Sequence, residues 1–223
     1  MTGATVLPRT PFFRLDGRRA LVTGAGRGIG RAAAAALAEA GAHVVAAART
    51  GAEPEELVAA IREAGGSAEA LVLDVTDLYA VERELGSREP FHVLVDNAGT
   101  NRPAPFPEVT REDFDAVVEL DLRAAFFVAQ AAARRMAEGG IAGSIGPVSS
   151  QMGHVGGRRR TVYCATEHAI EGLAKAMALD LAPHGIRVNW IAPTFVETPM
   201  TRPFFEDPEF RADVLSRIPL GRV

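Results

Sequence analysis

A serine and a tyrosine thirteen residues apart, Ser150 and Tyr163, are the side chains of this sequence best suited to act on a carbonyl group. Ser149 and Ser150 end an apolar run at 144–149, and Tyr163 opens a helical stretch at 162–181. A hydroxyl and a phenol from consecutive elements can then converge on one oxygen. The serine would donate a hydrogen bond to that oxygen, and the tyrosine would carry the proton that accompanies a hydride transfer. A tyrosine placed on its helix for structural reasons is the competing reading. A hydrolase built on Ser150 is disfavoured, because no Gly-x-Ser-x-Gly elbow surrounds it and no histidine is placed to activate it. The histidines lack metal-ligand spacing, so no metal is expected.

Hydride transfer needs a carrier, and residues 20–30 are organised to hold one. An apolar strand at 20–22 runs into a turn containing Gly24, Arg27, Gly28, Ile29 and Gly30, followed by an alanine-rich helix over 31–40. Glycine lets the main chain approach a ligand closely, and the helix start offers unpaired N–H groups and a positive dipole end to a pyrophosphate. In such sites the residue closing the second strand selects the cofactor: a carboxylate binds ribose hydroxyls, an arginine pairs with a 2′-phosphate. The strand at 42–48 runs directly into Arg49, and Arg27 adds a second cation, so NADP(H) is favoured and NAD(H) is the second choice. The alternative makes both arginines ordinary surface charges. The third strand, 68–75, closes on Asp74 and Val75, where Asp74 either accepts from an adenine amino group or caps the next helix. After the fourth strand, 91–95, Asn97, Ala98 and Gly99 form a small-residue turn where the nicotinamide half would lie.

These positions are carried by an alternation of short apolar strands with helices at 53–64, 77–85, 110–137 and 162–181, the third opening on a Thr110–Asp113 capping pair. Strands that apolar are buried on both faces, which predicts an α/β fold: a doubly wound parallel sheet of the Rossmann type, helices on both faces, ligands at the carboxyl ends of the strands. Residues 1–14 read as an N-terminal arm whose Phe12 and Phe13 pack down, and 15–223 as a single domain. Within it 194–217, rich in proline and phenylalanine, reads as a substrate lid or a static packed segment. A net charge of −4 without a basic, aromatic-rich stripe argues against nucleic acid. No run is long and apolar enough to span a membrane, and the lone Cys164 fits a reducing cytoplasm.

Taken in order, these motifs resemble the short-chain dehydrogenase/reductase family. Thr23-Gly24-Ala25-Gly26-Arg27-Gly28-Ile29-Gly30 is similar to its glycine loop, Asp96-Asn97-Ala98-Gly99 to its Asn-Asn-Ala-Gly turn, and the Ser150 to Tyr163 spacing to its catalytic pair. Arg187-Val188-Asn189 and Thr198-Pro199-Met200 match later motifs. The resemblance implies that Ser150 orients a small carbonyl or alcohol substrate and that Tyr163 is the acid/base. It also implies that Pro193, Val196 and Thr198 hold the nicotinamide end and that the protein is a homodimer or homotetramer. Two departures fall on the catalytic positions themselves. Where the family has lysine four residues after the tyrosine this chain has Glu167, and where it commonly has asparagine in the long helix this chain has Asp121. A cation that lowers the phenol pKa is thereby replaced by an acid, which implies weakened turnover or a catalytically silent dinucleotide-binding protein. Family members also continue with a further helix and strand, so a sheet lacking its last strand is expected.

Overall fold

Alternation along each central strand splits the interior into two cores, and the computed structural model, which describes residues 13–223, shows both. In β1 (Arg19–Thr23), Leu21 faces one core while Ala20 and Val22 face the other, each with no exposed surface. The side holding Ala20 and Val22 is covered by α1 (Gly28–Glu39) and α2 (Ala52–Glu63), through Ala34, Ala38, Leu57, Val58 and Ile61. The opposite face is covered by α3 (Leu78–Ser87), α5 (Ala125–Glu138) and α6 (Thr161–Leu181), through Leu85, Val128, Met136 and Ala174.

The remaining strands are β2 (His43–Ala48), β3 (Ser67–Val72), β4 (Val93–Asp96), β5 (Ser144–Pro147) and β6 (Arg187–Val188). All pair in parallel in the order β3-β2-β1-β4-β5-β6. Strand order therefore reverses between β1 and β4, the switch point at which such sheets open a crevice beyond their carboxyl ends. Beyond β6 no further strand pairs among the described residues.

Several boundaries differ from expectation. β3 ends at Val72, so Asp74 and Val75 lie in the loop after it, although Leu73 N still donates to Ala48 O at 2.9 Å. The helix expected over 110–137 is three pieces: α4 (Arg111–Val118), a π-helical turn (Glu119–Ala124) and α5. Such widened turns occur at functional sites because they re-aim side chains. This one turns Asp121 inward, where Oδ1 accepts from Thr100 N at 2.8 Å. β6 is shorter than expected, with Ile191 forming only an isolated bridge to Val148. Of the arm, Phe12 lies outside the described residues, and Phe13 is exposed rather than packed. Residues 194–217 include α7 (Arg202–Phe205) and α8 (Pro208–Ser216), held by edge-on and tilted contacts among Phe195, Phe204, Phe205 and Phe210. No described helix is long and apolar enough to cross a membrane.

Candidate active site

Thr23, the last residue of β1, ties the glycine loop to β4. Its Oγ1 donates to Asp96 Oδ1 at 2.8 Å and accepts from Asn97 N and Ala98 N at 2.8 and 3.0 Å. Asn97 Nδ2 returns the link by donating to the carbonyls of Thr23 and Gly24. The two turns that flank the switch point are thus one hydrogen-bonded unit. Gly24 and Gly30 are what let it close: a Cβ on Gly30 would collide with the Gly24 carbonyl and Asn97 Nδ2, and one on Gly24 would meet Asn97 Nδ2 and the Ala98 backbone.

Above this unit opens a crevice of about 590 Å³. Gly24, Arg27, Gly28, Ile29, Arg49, Val75, Asn97, Ala98, Gly99 and Thr198 line it, with Pro199 and Met200 at its far wall. Arg27 and Arg49 are both exposed, and α1 has no acidic residue in its first turn to neutralise its positive end. The chemistry of this wall suits a dinucleotide phosphate: close glycine backbone, open helix N-terminus and two guanidinium groups that pair with no carboxylate among the described residues. Glu53 of α2 also faces the crevice, a residue the sequence reading did not single out.

Asp74, Gly30, Pro193 and Val196 do not line it. Asp74 is exposed and its Oδ1 accepts from Thr76 N and Oγ1 at 3.0 and 2.8 Å, closing a local turn. It does not cap α3; Asp77 does, accepting from Ala80 N at 3.0 Å, because the cap must directly precede the first turn and β3 ends sooner than its apolar run. The Pro193 carbonyl accepts from Gln151 N at 2.9 Å, and Val196 O accepts from Thr201 Oγ1 at 2.6 Å.

The NADP-type reading makes a strong demand on Gly30. Gly30→Ala forces apart the β1 turn and the Asn97 turn, an overpacking of about 1–3 kcal/mol that falls on the crevice floor. NADPH affinity is expected to drop at least about tenfold, followed by fluorescence titration, while far-ultraviolet circular dichroism stays native. Unchanged affinity would mean that the loop is not the phosphate cradle.

Next to the crevice, and sharing Met200 with it, lies a small cavity of about 80 Å³ lined by Asn101, Ser150, Tyr163, Arg160, Phe195 and Phe204 among others. Ser150 and Tyr163 meet here, as their spacing anticipates. Ser150 Oγ accepts from Met152 N at 3.2 Å and caps a short 3-10 turn (Gln151–Gly153), which fixes its rotamer. Burial raises the Tyr163 pKa above the ordinary tyrosine value, the negative charge of Glu167 and then Asp121 raises it further, and only the neighbouring Ser150 hydroxyl opposes them.

Behind Tyr163 sits a buried acid cluster. Glu167 has its pKa pushed up to about 7, first by burial and then by Glu171, with the nearby Ser149 and Tyr163 hydroxyls opposing the rise. Asp121 is pushed up to about 8 by burial and by Glu167, against the Thr100 amide. Glu167 Oε2 and Asp121 Oδ2 are sealed and have no hydrogen-bond partner among the described residues. Glu171, one helical turn beyond Glu167, accepts from Ser149 Oγ at 3.2 Å and pairs with His154 Nδ1 at 3.2 Å. The sequence reading missed Glu171, although its i, i+4 spacing from Glu167 places it on the same helix face. Lys175 does not reach the cluster; its Nζ lies over the Trp190 ring, 5.4 Å from the centroid. Cys164 is half-buried, its Sγ 3.7 Å from Met152 Sδ. Among the described residues no His/Cys/Asp/Glu group could hold a metal ion.

Arg160, at the N-cap of α6, is buried to 8 % exposure with its guanidinium over Phe195 and Phe204, 5.9 and 5.3 Å from the ring centroids. It also lines a larger outer cavity of about 850 Å³, which Arg158, Arg159, Phe210 and Arg217 share.

A family model described as short chain dehydrogenase matches residues 18–209. Chicken (Gallus gallus) D-erythrulose reductase is 46% identical over 212 residues, 95% of this chain and 85% of that protein. Human L-xylulose reductase is 46% identical over 208 residues, 93% of this chain and 84% of that protein. Among solved structures, a gluconate 5-dehydrogenase from Burkholderia cenocepacia in complex with NADP and tartrate superposes with a TM-score of 0.90 at 37% identity, covering 95% of this chain and 84% of that one.

Proposed function

The chain belongs to the short-chain dehydrogenase family, a family of oxidoreductases, and on that footing we propose that it interconverts a ketone and a secondary alcohol on a small hydroxylated carbon chain, with NADP(H) as cofactor. The observation that carries the reading is the junction of two spaces at the carboxyl ends of the strands. A crevice with a glycine-and-arginine wall adjoins a small cavity where Ser150 and Tyr163 meet.

In this reading the loop amides from Gly24 to Gly30 hold the pyrophosphate, and Arg27 and Arg49 pair with the 2′-phosphate. Val75 packs at the adenine end, with Asp74 beside it. Asn97, Ala98, Gly99 and Thr198 hold the other half, while Pro193 and Val196, which do not line the crevice, fix Gln151 and Thr201 beside it through their carbonyls. NADPH, when bound, supplies the hydride. Ser150 Oγ donates a hydrogen bond to the substrate oxygen, and Tyr163 Oη gives it the proton in reduction or takes it in oxidation. Glu167 and Asp121 act on that step through their charge, and 194–217 covers the substrate. A homodimer or homotetramer built through the long helices is supported by exposed Phe114, Phe126 and Leu179 on α4, α5 and α6. A cytoplasmic site fits the single cysteine.

Glu167 favours a second reading, a dinucleotide-binding protein with little or no turnover. The two separate by experiment. Titration with NADPH and NADH is followed by intrinsic fluorescence, and then NADPH oxidation is measured with L-xylulose, D-erythrulose and 5-keto-D-gluconate. The first reading expects NADPH to bind better than NADH, with turnover that Tyr163→Phe removes without loss of NADPH binding. Binding without turnover selects the second reading, and absence of binding defeats both.

A further inference from the structure

Arg160 is a buried cation in a place that disfavours a cation. It sits at the N-cap of a 21-residue helix, where the dipole end is positive, and the first turn of that helix contains no acidic residue. Among the described residues no carboxylate lies within 4.0 Å of its guanidinium, and none of its nitrogens donates a hydrogen bond to a protein acceptor. Burial lowers its pKa from the ordinary arginine value; Tyr163 and Cys164 oppose that shift, and the neighbouring charge of Arg159 adds to it. Two phenylalanine rings offset part of this, but they leave the five N–H donors unused.

The backbone reinforces the placement. Arg159 has φ of 62°, the only described non-glycine residue in the left-handed region, and its carbonyl accepts from Ala104 N at 2.9 Å. The chain is thus held in a sparsely populated conformation immediately before Arg160 turns inward. Asn101 lines the same small cavity, and its Oδ1 is buried without a hydrogen-bond partner among the described residues.

We infer that Arg160 is a specificity-determining residue that binds a carboxylate of the substrate, so that the preferred substrate is a hydroxy or keto acid rather than a neutral ketose or polyol. The inference rests on the proposed carbonyl chemistry at Ser150 and Tyr163 and adds the substrate class. Arg160 lies three residues before Tyr163 and lines both the small cavity and the outer one. A substrate whose carbonyl meets Ser150 and Tyr163 therefore has its carboxylate a few bonds away at the junction of the two. The guanidinium is a planar donor fork that matches the two oxygens of a carboxylate.

Gluconate and sorbitol, alike in length and hydroxylation and different in one carboxylate, are suitable probes. Each is titrated calorimetrically into the intact protein with NADPH present, alongside sorbitol 6-phosphate. Gluconate is expected to bind at least about tenfold more tightly than sorbitol, the scale of a charge-assisted pair. R160Q is expected to remove that advantage while leaving sorbitol and NADPH binding unchanged. Equal binding of gluconate and sorbitol, no binding of either, or an advantage that survives R160Q would overturn the inference, and tighter binding of sorbitol 6-phosphate would overturn the choice of carboxylate. The wild-type comparison needs no variant, so misfolding of R160Q does not protect the idea. Because NADPH binding and Tyr163-dependent turnover are read separately, loss of the carboxylate preference leaves the carbonyl chemistry standing, and failure of that chemistry appears without regard to gluconate.

Discussion

Replacing Glu167 by lysine is expected to raise carbonyl reduction by about 30- to 1000-fold. Position 167 lies one helical turn past Tyr163, about 6 Å along the axis, so a side chain there reaches the phenol. In the present protein burial is the largest influence against ionisation of that phenol, and the negative charge of Glu167 is next. A cation about 4 Å away contributes roughly 4 kcal/mol at an effective dielectric near 20, and half of that is still about 2 kcal/mol, the stated range in rate. The lysine would not be left unpaired, since Asp121 Oδ2, which has no partner among the described residues, and the Glu171 carboxylate stand ready to accept from its ammonium. The expected signature is a higher kcat with the basic limb of the pH profile moved downward. If NADPH binds to E167K as it does to the parent and turnover does not rise, the proton relay is not what limits this protein.

Position 167 also illustrates how far the sequence could be read. The order of strands and helices was legible because short apolar runs punctuated by glycine leave few alternatives, and the resulting sheet has the expected switch between β1 and β4. Ser150 and Tyr163 were legible as a pair because both lie at element ends that face the same side of a parallel sheet. The misses share a physical cause: they depend on what lies across space rather than along the chain. Asp96 looks like an ordinary turn residue until Thr23, at the end of the neighbouring strand, hydrogen-bonds it in the interior. A π-helical turn has no marker in residues 119–124, whose composition suits an ordinary helix, yet it decides where Asp121 points. The third strand was read too long because Leu73 and Val75 are as apolar and as buried as strand residues. Arg160 differs from Arg158 and Arg159 only in being turned inward under the aromatic segment, and a triplet of arginines does not reveal which one is buried.

Those buried acids make the pH dependence of stability run opposite to the usual acid-labile pattern. Asp96 has its pKa raised from 3.8 to about 7 by burial, opposed only by the Thr23 hydroxyl, and Glu167 and Asp121 are raised to about 7 and about 8. In each case the native state binds a proton that the unfolded chain has already released. The unfolding free energy therefore falls as pH climbs from about 4, and the fall is complete once pH passes the native values near 7 to 8. For Asp96 alone a rise of that size corresponds to roughly 4 kcal/mol once fully ionised. For a chain of this length each kcal/mol moves Tm by about 2–4 °C, so a loss on the order of 10 °C between pH 5 and pH 8.5 is expected by calorimetry. Asp96→Asn tests the assignment because it keeps an acceptor for Thr23 Oγ1 and cannot ionise. It should raise Tm at pH 8.5 by several degrees and leave it nearly unchanged at pH 5. Asp121→Asn keeps the acceptor for the Thr100 amide and should flatten the slope further, since it removes another carboxyl whose pKa burial raises to about 8. A Tm that holds steady or rises across this interval, or a slope that Asp96→Asn does not change, would mean that water or a rearrangement solvates these carboxylates and that the interior tolerates their charge.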